Sequence, residues 1–212
     1  MTQPSRGRPR SPQVDATVLN AIRALMAEVG YNRVTIEQIA ARAGVGKTAI
    51  YRRWRTKGQI VLTAIGPNLR MSTPSDTGSL AGDLEAITRD IVGRLTSPGA
   101  GWALPGLVSD ANDNEELAIQ LKEEYIALER AVVGALLDRA VARGELAARP
   151  DVNVVYMVLQ GAVFNGVFVS RTGVTPGLPG QLARMVSNDL LGKPSSPGRR
   201  PPRGRGPKGP GR

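Results

Sequence analysis

Residues 151–171 set the strongest constraint on the fold. Val152, Val154, Val155, Tyr156, Val158, Leu159, Val163, Phe164, Val167, Phe168 and Val169 leave this segment almost no polar side. The β-branched residues would suit a strand, but strands rarely exceed about ten residues, so the length selects a helix. A helix apolar on every side has to be covered on every side. The rest of the chain offers partners of the same kind. Val14, Val18, Ile22, Leu25 and Val29 recur at helical spacing, as do Leu80, Leu84, Ile87, Ile91 and Leu95. A longer series runs through Leu117, Leu121, Tyr125, Leu128, Val132, Ala135 and Leu136, and Leu182, Met185, Val186, Leu190 and Leu191 mark a last helix. No segment shows convincing strand alternation, so the expected fold is all-α, with about nine helices.

Helix ends divide the chain. Residues 1–12 are polar, basic and proline-bearing, and are expected to form a flexible arm. Gly30 ends the first helix, as a left-handed cap would. Thr35-Ile36-Glu37-Gln38 fits a capping box, in which the Thr35 hydroxyl takes a helical amide and Gln38 reaches back. The short helix that follows stops at Gly44, and another starts near Gly46 or Lys47 and runs to Trp54. An amphipathic stretch starts near Lys57, turns Ile60, Val61, Ala64 and Ile65 inward, and nears its end at Pro67. Ser97-Pro98-Gly99 closes the 80–95 helix, and residues 100–111 form a short apolar segment with Trp102. Asp113-x-x-Glu116 is expected to cap the longest helix, which Gly144 closes. From Gly192 the sequence is rich in Pro, Gly and Arg and is expected to be disordered. The expected organisation is an arm (1–12), a three-helix DNA-binding domain (13–70, motif about 35–54), a helical effector-binding and dimerisation domain (71–191) and a basic tail (192–212).

Composition removes several function classes. The 212 residues include no cysteine and no histidine. A Ser-His-Asp triad and any Cys/His zinc site are therefore impossible. No metal or cofactor is expected. No stretch approaches the roughly 18 consecutive apolar residues of a membrane span. No apolar run follows the basic MTQPSRGRPR start, so no secretory signal is read and a cytoplasmic protein without a membrane partner is expected. The net charge of +10 is uneven. Residues 1–70 hold 12 Lys and Arg against 3 Asp and Glu, residues 71–191 hold 9 against 15, and residues 192–212 hold 7 against none. This asymmetry points to a polyanion bound by one part of the chain, although a solvated charged surface has the same composition.

Residues 35–54 have the layout of a helix-turn-helix: a short helix, a glycine turn and a second short helix. In the second helix Ile50 and Trp54, four apart, pack inward. Lys47, Thr48, Tyr51, Arg52 and Arg55 point outward, so hydroxyls and cations reach phosphates and the first residues reach base edges. Lys57 starts the next helix, whose free amides suit a phosphate.

Residues 13–65, about a quarter of the chain, resemble the DNA-binding domain of the tetracycline-repressor (TetR) family. The resemblance rests on Gly30-Tyr31, Thr35-Ile36-Glu37-Gln38-Ile39-Ala40, Ala43-Gly44-Val45, Ile50-Tyr51-Arg52-Arg53-Trp54 and Lys57. It implies phosphate contacts from Thr35, Tyr51 and Lys57, and base contacts from Lys47 and Thr48. Arg52 and Arg53 are added from their charge and position. The chain departs from the family pattern at Gly46, Ala49 and Arg55, where Ser, Ser or Thr, and Pro are common. Gly46-Lys47-Thr48 also imitates the end of a phosphate loop, but Ala41 stands where that loop needs glycine and a helix precedes it. Arg6-Gly7-Arg8-Pro9 resembles an AT-hook, which would place Arg6 and Arg8 in a minor groove. An unstructured basic arm adding only non-specific affinity is the competing reading, and both stay open.

The resemblance implies that the C-terminal half binds a small effector and dimerises. Candidate pocket residues are Ile87, Ile91, Trp102, Leu107, Tyr125, Leu128, Gln160, Phe164, Asn165 and Phe168, which together suit a mostly apolar ligand. Candidate dimer residues are Val155, Leu159, Val163, Val167, Leu182, Met185, Val186 and Leu190, paired with their copies as a four-helix bundle. The expected function is a homodimeric repressor that reads a palindromic duplex operator and is released by an unknown effector. The rivals are an effector-independent architectural or constitutive DNA-binding repressor and an enzyme of unknown type. The acidic pairs Glu115-Glu116 and Glu123-Glu124 read as the solvated face of the long helix rather than as a catalytic dyad.

Overall fold

The computed structural model describes residues 12–72, 76–97, 99–170 and 173–192. Those residues form helices joined by turns, with no strand among them. Helix α1 is Pro12–Val29, followed by a 3-10 turn at Tyr31–Arg33, α2 at Ile36–Ala43, α3 at Lys47–Tyr51 and α4 at Lys57–Leu69. Then come α5 (Leu80–Leu95), α6 (Ala100–Asn112) and α7 (Glu115–Leu121). A π turn at Lys122–Ile126 carries α7 without a break into α8 (Ala127–Ala142). Helix α9 (Val152–Phe164) continues into a second π turn at Asn165–Val169, and α10 is Leu178–Leu191. With α7 and α8 taken as one rod, nine helices are described.

Helices α1, α2 and α4 close around Val18, Ile22, Ile39, Ile50, Ile60, Val61 and Ile65. Helix α5 is the axis of the other half and packs against α6, α8, α9 and α10. Its inner residues Leu84, Ile87, Ile91 and Leu95 have no exposed surface. Helix α4 joins the halves, because it packs on α1 on one side and on α6 and α7 on the other. Gly58 lets it approach closely, since a Cβ there would lie 2.5 Å from Leu117 Cδ2.

Three expectations change. The long rod is capped by the side chain of Asn114, which accepts from the Leu117 amide at 2.8 Å; Asp113 instead ends α6. The π turn inserts one residue, which rotates everything after it by about 100°. Glu129, Val133, Leu136, Leu137 and Ala140 consequently face the core, whereas Leu128 is 46% exposed.

The third change concerns α9. Val152–Val169 is a helix long and apolar enough, by length and composition alone, to cross a membrane, which the sequence was not expected to contain. One side of it, with Val155, Tyr156, Leu159 and Val163, is packed into the protein's own core. Val155, Leu159 and Val163 are thus removed from the dimer surface assigned to them, and Leu182 of α10 is likewise buried in the core. The other side of the helix is open: Val154, Met157, Val158 and Val169 are exposed, as is Met185 of α10. Val167, Val186 and Leu190 are half-buried.

Candidate nucleic-acid interface

The helix-turn-helix is fixed by local bonds. The Thr35 hydroxyl accepts from the Gln38 amide at 3.3 Å, and Gln38 Oε1 accepts from the Thr35 amide at 2.9 Å, closing the capping box. Gly44 takes a left-handed conformation at φ 66°, which turns the chain sharply from α2 toward α3. Gly46 starts α3 with no side-chain cap. Ile50 and Trp54 anchor the inner side of this segment, and Trp54 Nε1 donates to Thr63 Oγ1 at 3.1 Å.

The outer side presents Lys47, Thr48, Tyr51 and Arg52, all exposed. Lys47 Nζ lies 3.0 Å from Glu37 Oε1, and this bond holds the Glu37 carboxyl below the usual carboxylate range. The pair is open to water, so an acceptor on DNA can take the place of Glu37 at little cost. Thr35 is exposed at the start of α2. Arg33, on the 3-10 turn, adds an exposed cation that sequence reasoning missed; its charge was the only signal. Arg6 and Arg8 lie outside the described residues.

Two assigned DNA contacts have other partners here. Arg53 turns inward: its guanidinium pairs with the Asp15 carboxylate of α1 and donates to the Ala49 carbonyl at 3.0 Å. It docks α3 onto α1 and does not belong to the groove-facing set. Lys57 is half-buried, with Nζ 4.2 Å from the centre of the Tyr31 ring and 3.2 Å from the Tyr31 carbonyl, to which it donates. Arg55 is exposed and sits 3.4 Å from Glu116 of α7.

In the other half, a buried polar cluster reaches the end of α4. Arg94 Nη1 donates to Glu129 Oε1 at 2.7 Å and to the carbonyl of Leu69, the last residue of α4, at 2.5 Å. Its Nε donates to Asp90 at 2.9 Å. Tyr156 donates to the other Glu129 oxygen at 2.8 Å, and Tyr125 donates to the Leu69 carbonyl. Burial pushes the Glu129 carboxyl up, against the pull of Arg94. A groove of about 330 Å³ opens beside this cluster, lined by Arg70, Met71, Tyr125, Leu128, Glu129 and Val132 among others.

The ten pocket candidates do not converge. Ile87, Ile91 and Leu107 are sealed in the core, while Tyr125 and Leu128 line the groove. Gln160, Phe164 and Phe168 are half-buried on the α9 rod, with the two phenyl rings 4.9 Å apart, and Asn165 is exposed. Trp102 lies on α6.

Residues 18–64 match the model described as bacterial regulatory proteins, tetR family, and residues 74–186 match the tetracyclin repressor-like C-terminal domain. The chain is 30% identical over 176 residues to the uncharacterized HTH-type transcriptional regulator Rv1556 of Mycobacterium tuberculosis, covering 80% of this chain and 82% of that protein. Among solved structures it is similar to the TetR family transcription regulator SCO0332, with a TM-score of 0.64 and 28% identity over 83% of this chain and 97% of that one. It also shares its fold with AibR, solved with isovaleryl coenzyme A and operator DNA, with a TM-score of 0.53 and 16% identity over 84% and 98% of the two chains.

Proposed function

Because the chain belongs to the TetR family of DNA-binding transcriptional regulators, we propose that it works as a homodimeric repressor whose hold on a palindromic operator is released by a small, mostly apolar effector. The observation that carries this reading is the exposed set Lys47, Thr48, Tyr51 and Arg52 on a short helix whose opposite side is anchored by Ile50 and Trp54. Lys47 and Thr48 reach base edges, and Thr35, Tyr51, Arg52 and Lys57 hold phosphates. The DNA-binding part ends at about residue 70, just past α4. The protein acts in the cytoplasm, and the reading gives it no enzymatic role.

The dimer follows from α9. Val154, Met157 and Val158 form an exposed apolar side, and Met185 is 69% exposed on α10. A second copy that brings its own α9 and α10 covers these residues in a four-helix bundle and sets two recognition helices about 34 Å apart. In this arrangement the membrane-compatible length of the helix reflects burial between two subunits.

The effector fits the groove beside Tyr125 and Glu129, whose wall is mainly Met71, Leu128, Ala131, Val132 and Ala135. Tyr125 and Glu129 also belong to the cluster that holds the end of α4. A ligand that moves either group loosens α4, and by linkage DNA weakens the ligand by the same factor. AibR, bound to both isovaleryl coenzyme A and operator DNA, supports a shared fold that takes both.

The test is selection of duplexes from a random library by the purified protein. An enriched inverted repeat with half-sites about one helical turn apart supports the reading. No enrichment over non-specific DNA, or a single unpaired half-site, contradicts it.

A further inference from the structure

Tyr31 is bound on three sides. Its ring carries the Lys57 ammonium at 4.2 Å, its carbonyl accepts from that ammonium at 3.2 Å, and its hydroxyl donates to the Asp110 carboxylate of α6. Asp110 is 79 residues away in sequence. Tyr31 is 6% exposed and its ring packs against Gly106, where an added Cβ would come within 2.2 Å of Cδ1. Beside this contact lies an open cleft of about 320 Å³, lined by residues 29–33 together with Pro105 and Gly106.

We propose that Tyr31 is a positioning residue that ties the place of α6 to the phosphate-binding cation Lys57. The proposal rests on the reading of Lys57 as a phosphate contact. A lysine ammonium has three N–H donors. The Tyr31 carbonyl takes one and the ring supports the charge, which leaves Lys57 with donor capacity for a phosphate oxygen. The hydroxyl bond to Asp110 fixes the ring, and the missing side chain at Gly106 lets α6 rest on it. When α6 moves away, the Asp110 bond breaks and the ring loses its orientation. Lys57 then approaches the phosphate from a disordered set of rotamers, and operator affinity falls. In this way operator affinity depends on the place of α6 through one cation at the head of α4.

The experiment measures binding of the full-length protein to the duplex it selects, as log K against log salt, for wild type, Lys57→Gln, Tyr31→Phe and the double variant. Each phosphate contact accounts for about 0.9 of the slope, so Lys57→Gln lowers it by about 1.8 for a dimer. Tyr31→Phe keeps the ring and the carbonyl and removes only the hydroxyl. The proposal expects it to move the slope toward the Lys57→Gln value and to change affinity less than about twofold when Lys57 is already Gln. Asp110→Ala repeats the test from the other side of the bond. If Lys57→Gln lowers the slope while Tyr31→Phe and Asp110→Ala leave it at the wild-type value, the coupling is overturned and the phosphate contact stands. Equal losses from Tyr31→Phe in both backgrounds overturn it too, because the role is then structural. A slope unaffected by Lys57→Gln overturns the contact and the coupling together. Failure of the wild type to select any duplex defeats the functional reading instead.

Discussion

On α2 and α3, charged side chains meet at the surface: Lys47 lies against Glu37, and Arg42 of α2 against Glu28 of α1. In the other half, Asp83, Arg94 and Glu129 lie in the core, with Asp83 reached by Arg143 and Arg94 by Glu129. The difference is one of exchangeability. An ion pair in water is weak and gives way to a phosphate. A buried pair resists replacement, since either partner left alone is an unpaired charge in a poorly polarisable interior. The DNA-binding end is built to change partners, and the regulatory end to keep one arrangement until something enters it. Arg53 with Asp15 is the exception at the first end, and there the pair serves packing.

The comparison breaks most easily at Glu129. Glu129→Ala should cost about 3 kcal/mol in urea unfolding, because Arg94 loses its fully buried partner and keeps only the half-buried Asp90. Glu37→Ala should leave the unfolding midpoint where it is. Equal effects would erase the distinction between the two ends. Next in size is Gly44→Ala, which forces a Cβ into a left-handed turn and should cost about 1–2 kcal/mol in the same measurement. Arg52→Ala is expected to leave stability unchanged while lowering the salt slope of operator binding by about 0.9 per subunit.

The smallest effect is on acid stability. Burial raises the Asp83 carboxyl, but the Thr77 amide and hydroxyl together with Arg143 and Arg139 outweigh it and hold the group below the usual carboxylate range. A depressed carboxyl contributes stability above its unfolded value and loses it as pH falls through the folded one. Wild-type melting temperature should therefore drop below about pH 4, and Asp83→Asn should flatten that limb. An unchanged acid limb in the variant would place acid sensitivity elsewhere.

The two ends also differ in how far their sequence could be read. Thr35, Gln38, Gly44, Ile50 and Trp54 act on neighbours within a few positions, so spacing alone locates the capped helix-turn-helix. Arg53 reads as a DNA contact in the sequence, because its partner, Asp15, is 38 residues away and no local pattern announces it. In the regulatory end such distances are the rule. The π turn at Lys122–Ile126 shifts the phase of the rod, so a constant helical period places Leu128 inside and leaves Glu129 unnoticed. A helix as uniformly apolar as α9 carries no phase at all. Its sequence demands cover on every side but cannot tell Val155, which its own subunit buries, from Val154, which it leaves open.

The most direct test of the account is a titration of the protein against its selected duplex, with excess unrelated DNA, at increasing salt. The account predicts saturable binding of one dimer per duplex that survives the competitor, with log K falling steeply against log salt. Binding that the competitor abolishes, or saturation by a single subunit, would contradict it.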